Sequence, residues 1–248
     1  MIVEKQGHKL LQDCEGLLFD KDGTLVDFHY LWLSWTQRVS SYLVQRVDNL
    51  TPEEVQQQWG VDAATGKVDA EGPLAVGSVS DLTGSAAGLV YRYHGLWPES
   101  RQLVSSAIAE AYNSIDKAEY TKPLNGVVDM VRSLREKGYK LAVVTTDDTA
   151  SAQSCLQASG MEEYFHVILG CDQVENCKPF ADLALTACRM LDVPPQKAAV
   201  IGDTRADMLM GKHARVAYRV GVTSGVGSHD DLKQYADFIL ESAAALID

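Results

Sequence analysis

Residues 20–24 read Asp-Lys-Asp-Gly-Thr and follow the apolar run Leu17-Leu18-Phe19. Such a run suits a central strand buried on both faces of a parallel sheet. Side chains two apart on a strand point the same way, so if the extended geometry continues past Asp20, the Asp20 and Asp22 carboxylates lean toward one spot. Two carboxylates that close repel unless a cation or a shared proton relieves them. Gly23 then permits a sharp turn and a close approach of backbone to a ligand. The bland alternative is a solvated acidic turn at a strand end.

The rest of the chain supplies the frame for that pair. Leu31, Trp32, Trp35, Val39, Leu43, Val44 and Val47 recur mostly at three- and four-residue steps, which predicts amphipathic helix within 28–59 and a packing role for the Trp and Leu stripe. Thr51-Pro52-Glu53-Glu54 reads as a helix start with Thr51 as N-cap and Glu54 closing a capping box. Residues 60–97 are glycine-rich and poor in charge, with helix expected only over 81–93; helix returns over 99–118. From Pro123 the pattern becomes strict alternation: helices at 127–137, 149–159, 180–191 and 205–214, and strands at 140–145, 166–169, 198–202 and 216–222. A short helix at 229–235 and an edge strand at 238–240 complete it. Strand and helix in succession imply an α/β fold, a Rossmann-like parallel sheet covered on both faces.

Composition narrows the function classes. With 248 residues, 46% hydrophobic and 23% charged, the chain can hold one large α/β core or a core plus a smaller domain. A net charge of −12 argues against nucleic acid as a partner, since phosphate-backbone binding needs clustered Lys and Arg. No apolar run approaches the ~18 residues of a membrane span, and residues 1–14 lack an apolar signal region, so a cytoplasmic protein without a membrane partner is expected. Cys14, Cys155, Cys171, Cys177 and Cys188 are odd in number and show no C-x-x-C pair. Neither a disulfide framework nor a zinc site is expected from them, and a reducing compartment fits.

Sites in open parallel sheets lie beyond the C-terminal ends of strands. Four such ends carry polar residues: Asp20 and Asp22, Thr145, Lys178 in the loop after the 166–169 strand, and Asp203. Singly, Thr145 and Asp203 read as helix caps and Lys178 as a solvated cation. Together they meet the needs of phosphoryl transfer. A carboxylate such as Asp20 can attack phosphorus and split one hard displacement into two easier ones. Asp22 could give a proton to the leaving alcohol and later take one from water. Mg2+ at Asp20 and Asp203 would relieve repulsion between anionic nucleophile and anionic substrate, with Thr145 and Lys178 holding the non-bridging oxygens.

In these four motifs the chain resembles the haloacid dehalogenase superfamily of phosphatases over nearly its whole length. Asp20-Lys21-Asp22-Gly23-Thr24 is similar to the first motif, Thr145 to the second, Lys178-Pro179 to the third and residues 202–207, Gly-Asp-Thr-Arg-Ala-Asp, to the fourth. The resemblance implies a core domain of residues 1–27 and 120–248, with a helical cap domain, 28–119, of the type found in phosphatases resembling phosphoglycolate phosphatase. It further implies magnesium held by Asp20, the Asp22 backbone carbonyl and Asp203, with Asp207 orienting Lys178 or metal waters. Thr145, Thr146, Lys178 and Gly23 are the expected substrate contacts, although Thr146 stands where the family commonly has Asn. The second proline frequent after the third motif is replaced by Phe180-Ala181.

Asp22 sorts the superfamily's chemistries. Dehalogenases and the phosphonate-cleaving branch resemble this motif but lack a carboxylic acid there, and transport ATPases carry Thr. A phosphatase acting on a small phosphorylated metabolite is therefore expected, with a phosphomutase or a non-catalytic binding module as alternatives. His29, Lys67, Arg92 and His94 are candidates for setting specificity, each more readily explained as solvated or structural. Residues 221–227, Gly-Val-Thr-Ser-Gly-Val-Gly, read as a flexible loop after a strand.

Overall fold

Six strands, all paired in parallel, form one sheet: β1 (Gly16–Phe19), β2 (Lys140–Val144), β3 (Val167–Leu169), β4 (Ala198–Gly202), β5 (Tyr218–Val222) and β6 (Phe238–Leu240), in the order β3-β2-β1-β4-β5-β6. This computed structural model describes residue 11 and residues 13–114 and 121–247. Its backbone divides into two compact units, Met1–Phe28 with Thr121–Asp248, and His29–Tyr120.

The apolar run at 17–19 has the cause inferred from its sequence. Leu17 and Phe19 enter one hydrophobic cluster with Leu141, Val143, Ala199 and Ile201, covered by α6 (Val127–Glu136) and α7 (Thr149–Ala158). Leu18 points the other way, into a second cluster with Ala142, Val144 and Val200 under α8 (Asp182–Leu191) and α9 (Arg205–Ala214). Alternate residues of each inner strand thus meet a different helical layer, and both faces are dry. A short α10 (His229–Leu232) lies between β5 and β6.

The other unit is helical: α1 (Phe28–Val44, whose first residue belongs to the sheet unit), α2 (Pro52–Gln58), α3 (Pro73–Val76), α4 (Val79–His94) and α5 (Trp97–Ser114). The expected capping box at Thr51 and Glu54 is formed. Trp35 stacks on Trp59 with ring centroids 5.2 Å apart and meets Tyr112 at 5.7 Å, so the tryptophan stripe is core. The Trp59 indole N–H, fully buried, donates to the Leu82 carbonyl at 3.0 Å. Helix predicted only from 81 begins at 79, because Ser78 and Asp81 form a second capping box; residues 115–118 of the predicted helix over 99–118 fall outside the described residues.

Where the chain leaves and re-enters the sheet unit, its two crossings pair. Val26 and Pro123 form an antiparallel bridge, the Asp27 N–H donates to the Lys122 carbonyl at 2.8 Å, and the Leu124 N–H donates to the Leu25 carbonyl at 3.0 Å.

One expectation is corrected. Cys171 and Cys177 form a disulfide, with Cα atoms 5.3 Å apart, closing the six-residue step that ends just before Lys178. The C-x5-C spacing does not announce it, since it depends on the turn that begins at Cys171 folding the chain back on itself. Cys14, Cys155 and Cys188 are buried free thiols. No described helix is long and apolar enough to cross a membrane.

Candidate active site

The strand order reverses between β1 and β4, and the two strands lie in register with Phe19 beside Ile201. The Asp20 N–H donates to the Ile201 carbonyl at 2.8 Å, extending the pairing by one step. Asp20 and Asp203 therefore emerge side by side at the topological switch point, where open α/β sheets bind ligands. Thr204 caps α9 and Asp207 completes its capping box, which turns the Asp207 carboxylate back toward the same point. Carboxylate oxygens of Asp20, Asp203 and Asp207 all lie within 4.8 Å of one another, and all three residues are buried.

One ammonium meets this cluster. Lys178 Nζ lies 2.5 Å from Asp20 Oδ1 and 2.6 Å from Asp207 Oδ1, with its side chain 2% exposed. Burial opposes its charge, but the Asp20 and Asp207 carboxylates outweigh that and hold its pKa above the ordinary lysine value. Against three carboxylates one cation is not enough. Burial pushes the Asp20 carboxyl up to about 7 despite Lys178, helped by the charges of Asp207 and Asp22. Burial, with Asp20 and Asp207 nearby, likewise raises Asp203 well above its usual range. Asp203 Oδ1 is buried with no hydrogen-bond partner. Hard oxygen donors, surplus negative charge and an unpartnered carboxylate oxygen fit a divalent cation.

The loop after β5 is part of this site. The Val226 N–H donates to Asp203 Oδ2 at 2.8 Å, and Ser224 Oγ donates to the Gly23 carbonyl at 2.7 Å. A Cβ on Gly225 would sit 1.9 Å from Asp203 Oδ2 and 2.8 Å from the Gly23 Cα, and Gly23 itself holds φ +80°. The glycines that read as flexibility are thus a close-packed clamp on a carboxylate. Gly225→Ala is expected to lower kcat by about 10²-fold, the scale of an ångström-sized misplacement, and to weaken divalent-cation binding measured by titration calorimetry. Gly88→Ala in α4, where an added Cβ meets nothing within 4 Å, is the control that leaves both unchanged.

Comparison with known proteins places this arrangement. The sequence pattern of the haloacid dehalogenase-like hydrolase family matches residues 17–220, which include all four strand-end motifs. The chain belongs to that family. It is 31% identical over 217 residues to "Probable phosphatase IndB" of Dickeya dadantii, covering 88% of this chain and 84% of the relative. It is 26% identical over 233 residues to "Pyrophosphatase PpaX" of Listeria monocytogenes, covering 93% and 94%. Among solved structures, a "predicted phosphoglycolate phosphatase" from Haemophilus somnus superposes with a TM-score of 0.75 at 20% identity, covering 96% of this chain and 98% of that one. The latter likeness is one of fold, including the helical insert between β1 and β2.

In this haloacid dehalogenase-like hydrolase the second aspartate is near enough for its charge to add to burial in raising the pKa of the first, but its carboxylate is paired with a different lysine. β1 ends at Phe19 and the chain bends at residue 21, after which Asp22 forms an isolated parallel bridge with Val26. Asp22 Oδ2 lies 2.6 Å from Lys21 Nζ, which also lies 3.2 Å from Asp147 Oδ2. Neither Lys21 nor Asp147 stood among the predicted site residues. Asp22 Oδ1 is buried without a hydrogen-bond partner. Thr145 is buried at the end of β2, where its Oγ1 accepts from the Asp147 N–H at 3.2 Å, while Thr146 is partly exposed. The cap of α7 is Asp148, not Thr145, and that of α9 is Thr204, not Asp203. Both backbone polar groups of Gly23 are engaged, its N–H with the Val26 carbonyl at 2.7 Å and its carbonyl with Ser224. In the helical unit, His29, Lys67, Arg92 and His94 are exposed, and His94 Nε2 lies 3.6 Å from Glu99.

Proposed function

We propose that this hydrolase is a magnesium-dependent phosphatase that cleaves a small-molecule phosphate monoester through an aspartyl-phosphate on Asp20. The observation that carries this reading is the buried Lys178–Asp20 pair set among Asp203 and Asp207, a nucleophile and a cation at the switch point of the sheet. Asp20, Asp203 and the Asp22 backbone carbonyl are assigned to Mg2+, with Asp207 orienting Lys178. When bound, the ion would offset the negative charge that keeps substrate from an anionic nucleophile.

The chain's own groups supply the rest. An Asp20 oxygen attacks phosphorus as the bond to the leaving oxygen breaks, and Asp22 gives that oxygen its proton. Water then attacks the same phosphorus, Asp22 takes its proton, and the Asp20–phosphorus bond breaks to release inorganic phosphate. Thr145, Thr146 and Lys178 hold the non-bridging oxygens as charge shifts, with Gly23 assigned as a further substrate contact. Residues 1–27 with 120–248 are assigned as the catalytic domain and 28–119 as a cap domain that selects substrate.

Among monoesters 2-phosphoglycolate ranks first, in line with the fold likeness to the Haemophilus protein. Inorganic pyrophosphate is a second reading, favoured by similarity to the Listeria pyrophosphatase over nearly the full length of both chains. A phosphate-release assay on 2-phosphoglycolate, sugar monophosphates and pyrophosphate, with Mg2+ and with EDTA, tests the proposal. Magnesium-dependent release, fastest on one small monoester, is expected. Fastest release from pyrophosphate supports the second reading. Isomerised sugar phosphate without net release assigns a phosphomutase, and no turnover of any of them removes the proposal.

A further inference from the structure

The bend after β1 buries a second lysine that the phosphoryl-transfer scheme leaves unused. Lys21 is 0% exposed, and its ammonium touches two carboxylates, Asp22 Oδ2 at 2.6 Å and Asp147 Oδ2 at 3.2 Å, with Cys155 Sγ at 4.0 Å. Burying an ammonium is costly unless fixed partners offset it, so a lysine in this position commits both carboxylates to a defined geometry. Asp147 is itself anchored by backbone: its N–H donates to Thr145 Oγ1 and its carbonyl accepts from the Cys171 N–H at 2.9 Å. Lys21 is therefore tethered between the β1 turn and the β2 loop.

The consequence falls on Asp22. Lys21 engages only Oδ2, while Oδ1 of the same carboxylate is buried and unpartnered. We propose that Lys21, held in place by Asp147, is a positioning residue that pins one oxygen of Asp22 and presents the other for proton exchange with the leaving group and with the attacking water. This rests on the assignment of Asp22 as the proton donor and acceptor. A purely structural ion pair would stabilise the turn without affecting one chemical step more than another.

Pre-steady-state hydrolysis of p-nitrophenyl phosphate separates the two roles. Its leaving group departs without needing a proton, whereas water attack on the aspartyl-phosphate needs a base, so loss of proton exchange should slow the second step alone. Lys21→Met is expected to release about one p-nitrophenolate per enzyme in a fast burst, followed by a steady state about 10²-fold below wild type. On an alkyl phosphate, whose leaving oxygen does need a proton, no burst is expected and the first turnover is slow. Lys21→Arg should recover part of the steady-state rate. Asp22→Asn measured alongside should show the same pattern, and the Lys21→Met/Asp22→Asn double variant should be no slower than Asp22→Asn alone.

Equal slowing of burst and steady state in Lys21→Met, or no change in either, overturns the proposal. Absence of the pattern in Asp22→Asn instead overturns the role given to Asp22, which is a distinguishable failure. If Lys21→Met does not fold, Asp147→Asn carries the test, since it keeps the lysine and removes one tether. A burst with a slowed steady state is expected there too, and wild-type kinetics in both phases would overturn the proposal.

Discussion

Replacing Asp20 with Asn is expected to lower kcat by about 10⁴-fold or more, the scale seen when a covalent nucleophile is removed, while the ion-free protein becomes no less stable. The two effects come from one cause. Asp20 is ionised with difficulty in the fold, its carboxyl pushed up to about 7 by burial and by its acidic neighbours even though Lys178 lies 2.5 Å away. An amide of the same shape removes that unfavourable charge, and Lys178 keeps Asp207 at 2.6 Å. The checks are turnover of the preferred phosphate ester and the thermal midpoint in EDTA at pH 8. Retained turnover would remove Asp20 as the nucleophile, and a midpoint well below wild type would show that its charge stabilises the fold.

The second large effect links stability to pH and cation. Burial raises the folded-state pKa of Asp20 to about 7 and of Asp147 to about 6, and raises Asp203 as well, against 3.8 for an ordinary aspartate. Between about pH 4 and pH 7 the folded protein therefore keeps protons that the unfolded chain has released. Its stability should fall as pH rises through that window. A divalent cation bound at Asp20 and Asp203 replaces the protons those two carboxylates lose. At a hundredfold excess over Kd that is about 2.7 kcal/mol, and at about 2–4 °C per kcal/mol for a chain of this size the melting temperature should rise by roughly 5–11 °C at pH 8. At pH 5, where protons compete for the oxygens, the gain should be much smaller. Differential scanning fluorimetry across pH, with Mg2+ and with EDTA, measures both slopes. An equal gain at both pH values would mean that the ion binds somewhere other than the Asp20, Asp203 and Asp207 cluster.

Much of the fold is legible in the sequence. Leu17-Leu18-Phe19 could be assigned to a central strand because both faces of that strand are dry, and β4, α9 and β6 fall where their patterns end. Asp20 and Asp203 are legible because each follows a strand end, whereas Asp207 follows only from the resemblance of residues 202–207 to the family's fourth motif. Legibility failed where a side chain's direction depends on a bend or on distant chain. The sequence assigns Lys21 no role of its own, because its ion pair with Asp147 of the β2 loop joins positions far apart in the chain. Gly225 looked mobile, since nothing local says that Asp203 fills the space of its missing side chain. The Cys171–Cys177 pairing depends in the same way on a turn that carries no recognised cysteine spacing. Lys178 was recognised by motif, but its near-complete burial belongs to the packing around it.

The paired crossings at Leu25–Asp27 and Lys122–Leu124 give the molecule a modular seam. Hydrogen bonds between outgoing and returning chain seal the sheet unit at the point of interruption, so its strands experience a short closed hairpin, whatever is threaded through it. Lengthening a closed loop adds entropy cost only logarithmically. A lineage can therefore exchange or remodel the inserted helices wholesale while the register of β1 against β2 and β4, and with it the spacing of the acidic cluster, is inherited intact.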